Sequence, residues 1–390
     1  MIDESDVQPD GDAPDPITPS VDTPTSFKPK TKQVVIAVAL TVGVLILVFG
    51  VMLPNIVSYD DIWSAIKGME PWQFVVLLAI WTLKVPLDGV IYSRSLPGLE
   101  VRQGSMAWAA STSFSNVVPG PGDLLVRLSM YRTWGHTVDQ SMISMTCSGI
   151  FQNVNRLSLP VIGVLWYSIE TLSSGGDVSG WLVVLALVGL AILAAGFVFG
   201  SFVIRSETFA RKVGGTAERL VTWGAAKAKR QPPENFVDKL LGWRDVAKDL
   251  ISERWWQLWL AHASTTAMNI AMLTCALRFA GAGSDELTLA EIFLSYALVQ
   301  LVTLIPITNG NIGIAEIAYI GFLLAFTSGS DAITGAVAAG VIVFRIFNWL
   351  LTIPVGFAAT AIWRAKWKKK LDYDPFTVLM RDRSTIEAVS

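Results

Sequence analysis

Residues 304–316 read LIPITNGNIGIAE, and residues 115–123 read SNVVPGPGD. Both are apolar segments broken by Pro, Gly and Asn, set inside long hydrophobic stretches. A backbone broken in this way leaves N–H and C=O groups without helical partners. Hydrocarbon offers them no water, so such breaks persist only where protein or a wet cavity surrounds them. Paired breaks in the two halves of a membrane chain point to a central binding site.

Around these breaks the chain has 390 residues, 52% of them hydrophobic and 16% charged. Several uncharged apolar runs reach the roughly 20 residues that a helix needs to cross a bilayer. The expected fold is therefore an all-α, polytopic membrane bundle with two broken segments. Spans are expected at 34–53, 72–92, 142–167, 181–204, 256–280 and 332–363. Residues 104–120 lead into Pro119 and Pro121, and 287–306 and 312–326 are short halves flanking Asn309, Gly310 and Asn311. Re-entrant hairpins there give six crossings; a segment 287–326 that crosses twice gives eight. Trp72, Trp166, Trp181, Trp255, Trp256, Trp363 and Trp367 mark span ends, as rings that prefer the headgroup level do.

Charge placement sets the expected topology. Residues 206–254 carry ten Lys/Arg and 364–370 carry five, whereas 168–180 and 281–286 carry none. By the positive-inside rule both termini lie in the cytoplasm, and the expected location is the plasma membrane. The chain then divides into a disordered acidic tail (1–32), a first membrane half (33–204), a basic cytoplasmic loop (205–254), a second membrane half (255–364) and a C-terminal tail (365–390). Phe236, Leu240, Trp243 and Leu250 recur at helical spacing within that loop. They suit an amphipathic helix on the inner leaflet or a connecting helix pair equally. The 34–53 run is too long for a signal-peptide core and is read as an anchor. Cys147 and Cys275 lie in apolar runs without ligand spacing, so no metal site or disulfide is expected.

An ionisable residue at the centre of a span costs at least ~2.5 kcal/mol on insertion scales and marks a function or a buried pair. Lys84 and Asp88 stand four apart around Pro86, which suits mutual neutralisation at a kink or a place on a substrate path. Arg127 follows the first break. Gln152, Asn153, Asn155 and Arg156 form a polar band in the next span, and Arg345 and Asn348 lie deep in the last. Guanidinium forks match phosphate oxygens, so Arg127, Arg156 and Arg345 are candidate anion ligands. Asn153, Asn309, Gly310, Asn311, Gly313 and Asn348 join them as candidate binding positions. The plain alternative is that each arginine pairs with an acid. Asp123 and Glu316 can neutralise two of the three, which leaves positive charge for an anionic ligand. Glu316 also suits the positive end of the helix that follows Gly313. His262, Ser264, Thr265, Thr266 and Asn269 are read as interhelical hydrogen-bonding groups.

The two breaks have similar neighbours. The first precedes a span with Arg156, Pro160 and Gly163, the second a span with Arg345, Pro354 and Gly356, which is a weak internal repeat. These residues resemble the flippase-like transmembrane domain of lysylphosphatidylglycerol synthases. Pro121-Gly122-Asp123 with Arg127 is similar to that family's Pro/Gly turn, acid and arginine, though the family usually has Glu where Asp123 stands. The stretch from Pro306 to Glu316 resembles its second signature, with Asn309 in place of Pro and Asn311 in place of Gly. Arg156 and Arg345 match its later arginines. The resemblance covers roughly residues 34–367.

The resemblance implies a flippase-like transporter of an anionic phospholipid or lipid-linked headgroup, with the ligand held by the arginines and the broken-helix ends. About 26 residues follow Arg364, too few for the synthases' soluble transferase, and no catalytic triad, metal spacing or nucleotide loop is present. The expectation is a non-enzyme without cofactor and without nucleic-acid partner, moving lipid downhill or by ion coupling. Asp123, Glu316 or Asp88 would carry a proton in the coupled case. The alternative is a membrane partner that binds a phospholipid or polyprenyl phosphate for a separate synthase or glycosyltransferase. A third reading is a lipid-phosphate transferase with Asp123 as its acid.

Overall fold

The computed structural model describes residues 58–117, 122–177, 206–227, 236–304 and 308–367, together with Pro54 and scattered positions between 180 and 203. For 217, 220, 221, 223–227, 236–253 and 309 only the backbone is described. The acidic tail, the 34–53 run, most of 181–204, the turn at 118–121 with Pro119 and Pro121, residues 305–307 with Pro306, and 368–390 lie outside the described residues.

The described residues are helical and contain no strand. In chain order the helices are α1 (Tyr59–Gly68), α2 (Pro71–Ser95), α3 (Val101–Val117), α4 (Gly122–Thr133), α5 (Val138–Ser173), α6 (Glu207–Lys227), α7 (Phe236–Phe279), α8 (Leu289–Val302), α9 (Ile314–Leu324), α10 (Asp331–Arg345) and α11 (Thr352–Trp367). Local chemistry starts several of them. Thr137 and Gln140 form a reciprocal capping box ahead of α5 and Thr288 and Glu291 one ahead of α8, which satisfies two otherwise orphaned N–H groups at each helix start. Ser330 caps α10.

Among the described residues three stretches are long and apolar enough to cross a membrane: Pro71–Ser95, Arg254–Phe279 and Asp331–Trp367. Helix α5 has 36 residues, about 54 Å at 1.5 Å per residue, but its polar band from Gln152 to Arg156 lowers its hydropathy. The outward faces are apolar, with Val75, Leu83, Ile150 and Ile169 exposed as lipid-facing side chains would be. The amphipathic stretch 236–250 forms the first turns of the continuous 44-residue α7, not a separate helix lying on the surface.

Contacts between helix ends fix the direction of each element. The Trp72 ring, at the start of α2, meets Phe279 at the end of α7. Trp166, late in α5, meets Phe293 early in α8, and Tyr167 meets Phe326 just after α9. On the opposite side, Trp363 Nε1, late in α11, donates to Thr133 Oγ1 at the end of α4 (2.9 Å). Ser95 at the end of α2 lies 2.8 Å from Ser144 early in α5. Helices α3 and α4 therefore leave from and return to one side, and α8 and α9 leave from and return to the other. At 14 and 11 residues, α8 and α9 reach only about 21 and 16 Å, short of the ~30 Å hydrocarbon core. Each pair doubles back to the side from which it started, and neither α8 nor α9 is long enough to cross by itself.

The order α2–α3–α4–α5 thus repeats as α7–α8–α9–α10/α11 with inverted direction. The packing obeys the same exchange: α3 lies on α11 as α8 lies on α5, while α2 and α7 pack against each other at the axis. Two cores result. Ile91, Leu96, Ala107, Met130 and Tyr131 fill the first, and Met272, Leu277, Ile292, Ile320 and Phe344 the second. Each draws residues from both units, Leu77 and Leu159 joining the second and Trp363 the first. Helix α3 touches the tip of the second hairpin at Asn309–Asn311, so the two units meet there.

Candidate functional site

The tip of the second hairpin is built by left-handed residues. Gly310, Asn311 and Gly313 have φ of 63°, 53° and 86°, and three such residues within four positions turn the chain back inside the bundle. Thr308 Oγ1 donates to Ile312 O (2.9 Å) and Asn311 Nδ2 to Thr303 O (3.3 Å), which satisfies carbonyls freed by the break. The Gly313 N–H donates to Glu316 Oε2 (2.6 Å). Glu316 Oε1 accepts from Arg345 Nε (2.6 Å), and Arg345 Nη2 donates to Gly310 O (3.1 Å). Glu316 is buried. One carboxylate and one guanidinium therefore clamp the tip onto the last long helix.

That helix changes winding directly after Arg345. Residues Ile346–Leu350 form a π-helical turn, closed by the Leu351 N–H on Ile346 O (2.8 Å). Single π turns inside α-helices recur at functional sites. Trp349, within the turn, packs on Gly310 so closely that a Cβ at 310 would collide with its indole. From the first hairpin, Ser113 Oγ sits 2.8 Å from Thr352 O and 3.1 Å from Ile353 O. The second hairpin therefore touches the irregular turn and the first touches the helix start directly after it. The other long helix carries its defect in the corresponding place, Pro160 standing four residues after Arg156.

Between the clamps runs a line of polar side chains. Tyr319 lies within electrostatic reach of Arg345 and Glu316 and is set against Gln300. Its ring is 6.2 Å from that of Tyr296, which lies beside Asn269 and within reach of Arg156 and Asp88. Asp88 Oδ2 accepts from Lys84 Nζ at 2.8 Å, with both side chains buried; the ammonium also lies over the Trp108 ring, 4.7 Å from its centroid. Arg127 stacks over Tyr92 at 4.2 Å, has Asp123 within electrostatic reach, and leaves its buried Nε without a partner.

The expected residues are therefore only partly brought together. Lys84 pairs with Asp88 and Arg345 with Glu316, each over a short, buried distance. Four cations (Lys84, Arg127, Arg156, Arg345) face three carboxylates (Asp88, Asp123, Glu316), which leaves one positive charge. Among the described residues neither Arg127 nor Arg156 has an ion pair, but Asp123 acts on Arg127 while Arg156 has the Tyr296 and Tyr319 side chains, and no carboxylate, within electrostatic reach, so the surplus is assigned to Arg156. Asn153 is exposed, unlike the buried Asn155 two residues on. The Asn348 carbonyl accepts from Thr352 Oγ1 (3.1 Å) at the π turn. The Asn309 side chain lies outside the described residues. Tyr92, Tyr296, Tyr319, Trp349 and Ser113 were not singled out by sequence; tyrosines at mid-helix in apolar runs were the available signal. Of the α7 polar face, Thr266 forms the interhelical bond, accepting from Asn155 Nδ2 at 3.1 Å, whereas His262 Nε2 is buried without a partner.

A comparison with curated proteins finds no match. The family model described as Lysylphosphatidylglycerol synthase TM region matches residues 34–356, a stretch that holds both hairpins, the two buried ion pairs and Arg156. The chain is a membrane protein and belongs to the lysylphosphatidylglycerol synthase transmembrane-region family.

Proposed function

We propose that this chain is a flippase-like transporter that carries an anionic phospholipid or lipid-linked headgroup between leaflets. The observation that carries the reading is the surplus charge of Arg156, held beside Tyr296 and Tyr319 of the second hairpin. Inverted repeats whose broken helices converge at mid-depth support alternating access, in which one unit rocks against the other about a central site. Arg127 lies one hairpin away and would receive the headgroup on its path. Arg345 and Glu316 would act as the clamp that holds the tip, and Lys84 with Asp88 as its counterpart in the first unit. The chain's own residues would bind and orient lipid and perform no bond chemistry.

The basic 206–254 segment supports a plasma-membrane protein with both termini in the cytoplasm. In that orientation the α3–α4 hairpin opens to the cytoplasm and the α8–α9 hairpin to the outside. The test is leaflet transfer in proteoliposomes of fluorescent short-chain phosphatidylglycerol and phosphatidylcholine, read by quenching of the outer leaflet. Transfer of the anionic lipid beyond protein-free vesicles supports transport. Tight binding without transfer of either lipid would replace this reading by the lipid-binding partner of a separate synthase or glycosyltransferase.

A further inference from the structure

The seam between α5 and α7 holds an unexplained pair of groups. Asn155 Nδ2 donates to Thr266 Oγ1 at 3.1 Å, which fixes the register of the two helices. The next residue on α5 is Arg156, without a carboxylate. One turn before Thr266 on α7 is His262, only 7% exposed, with its Nε2 unpartnered. Arg156 and His262 lie within electrostatic reach of each other. A buried polar atom without a partner is uncommon in folded proteins and calls for a ligand or water, and a guanidinium without a counter-ion calls for an anion. Farther along the same face of α7, Asn269 presents a second buried unpartnered atom, Oδ1.

We propose that Arg156 and His262 form a two-donor phosphate site at this seam, the guanidinium holding two oxygens and the imidazole Nε2–H a third. This inference rests on the transport reading above for the source of the phosphate, a lipid headgroup, but the site can be tested by binding alone. His262 is then a ligand-binding residue and not a packing group. The oxygens of a phosphodiester satisfy both donors at once, whereas a zwitterionic headgroup brings a quaternary ammonium to a position already cationic.

The test uses the full chain in phosphatidylcholine nanodiscs containing one tenth phosphatidylglycerol, with bound lipid counted by native mass spectrometry and inorganic phosphate as the soluble competitor. His262→Ala is expected to lower retention of phosphatidylglycerol about tenfold, the loss of one charge-assisted donor. His262→Gln, whose amide can donate from the same region, is expected to recover most of it. Thr266→Val, which removes the helix bond but neither donor, is expected to retain the lipid. Displacement by millimolar phosphate would assign the site to the free ion, and resistance to it would assign the site to the headgroup; either supports the two-donor site. Retention in His262→Ala equal to the wild type, with Arg156→Ala deficient, would overturn the role of His262 and leave the transport reading standing. Equal losses in His262→Ala, His262→Gln and Thr266→Val would overturn it as a packing effect. No phosphatidylglycerol retention by the wild type would overturn both readings.

Discussion

Replacing Glu316 by Gln removes the carboxylate paired with Arg345 while keeping the shape of the side chain. Glu316 bonds Arg345 Nε and the Gly313 N–H, each at 2.6 Å, and the two ion-pair side chains are 7% and 13% exposed. Removing one partner of a buried pair leaves an uncompensated charge and costs about 3–5 kcal/mol. The Gln oxygen can keep one of the two bonds, so the expected cost is near the lower end, about 3 kcal/mol, or roughly 100-fold in the folding equilibrium. Arg345→Gln should cost a similar amount, because Glu316 would then face only the Gly313 N–H. In the double variant two amides can hydrogen-bond each other, so the losses should not add, and a coupling of about 2–3 kcal/mol is expected. Denaturant titration of the four proteins in bicelles, followed by tryptophan fluorescence, measures each corner of the cycle. Additivity within about 0.5 kcal/mol would refute the claim that this pair clamps the hairpin tip.

Three further outcomes follow from the same geometry. Gly310→Ala combines a left-handed φ of 63° with a collision against the Trp349 indole, so a loss of at least about 1–2 kcal/mol is expected, seen as a lowered unfolding midpoint; an unchanged midpoint would mean that the tip does not pack on the π turn. Lys84→Met alone should destabilise by about 3 kcal/mol, and Lys84→Met with Asp88→Leu should recover most of it, which a double-mutant cycle in the same assay checks. Cysteines at Ser284 and Ser328 should react with a membrane-impermeant label from the same side and a cysteine at Gly135 from the opposite side; labelling of all three from one side would contradict the inverted repeat.

The helical class, the two breaks and the ionisable residues were legible in the sequence because each is a local property. Gly and Pro interrupt a helix wherever they fall, and a charge in an apolar run is visible without its partner. Lys84 and Asp88 were readable as a pair because four residues of helix bring them together. The Arg345–Glu316 bond was not, since 29 residues separate them and only the return of α9 against α10 joins them. The π turn after Arg345 leaves no compositional mark, because one extra residue per turn changes neither hydropathy nor propensity. The inverted packing of α3 on α11 and α8 on α5 was likewise hidden: similar motifs showed that something repeats but not in which direction. The polar band from Gln152 to Arg156 does not form one face, because a helix turns consecutive residues about 100° apart, and the exposed Asn153 does not share the orientation of the half-buried Arg156.

The central claim is that the surplus charge of Arg156 carries an anionic headgroup across the membrane. Its most direct test is the ratio of phosphatidylglycerol to phosphatidylcholine transfer in proteoliposomes, measured for the wild type and for Arg156→Gln at equal reconstitution. The account predicts a ratio well above one that falls to about one in the variant, since one guanidinium bound to phosphate contributes about 1.5–3 kcal/mol, or at least tenfold. A wild-type ratio of one, or an anionic preference that survives in Arg156→Gln, would contradict it.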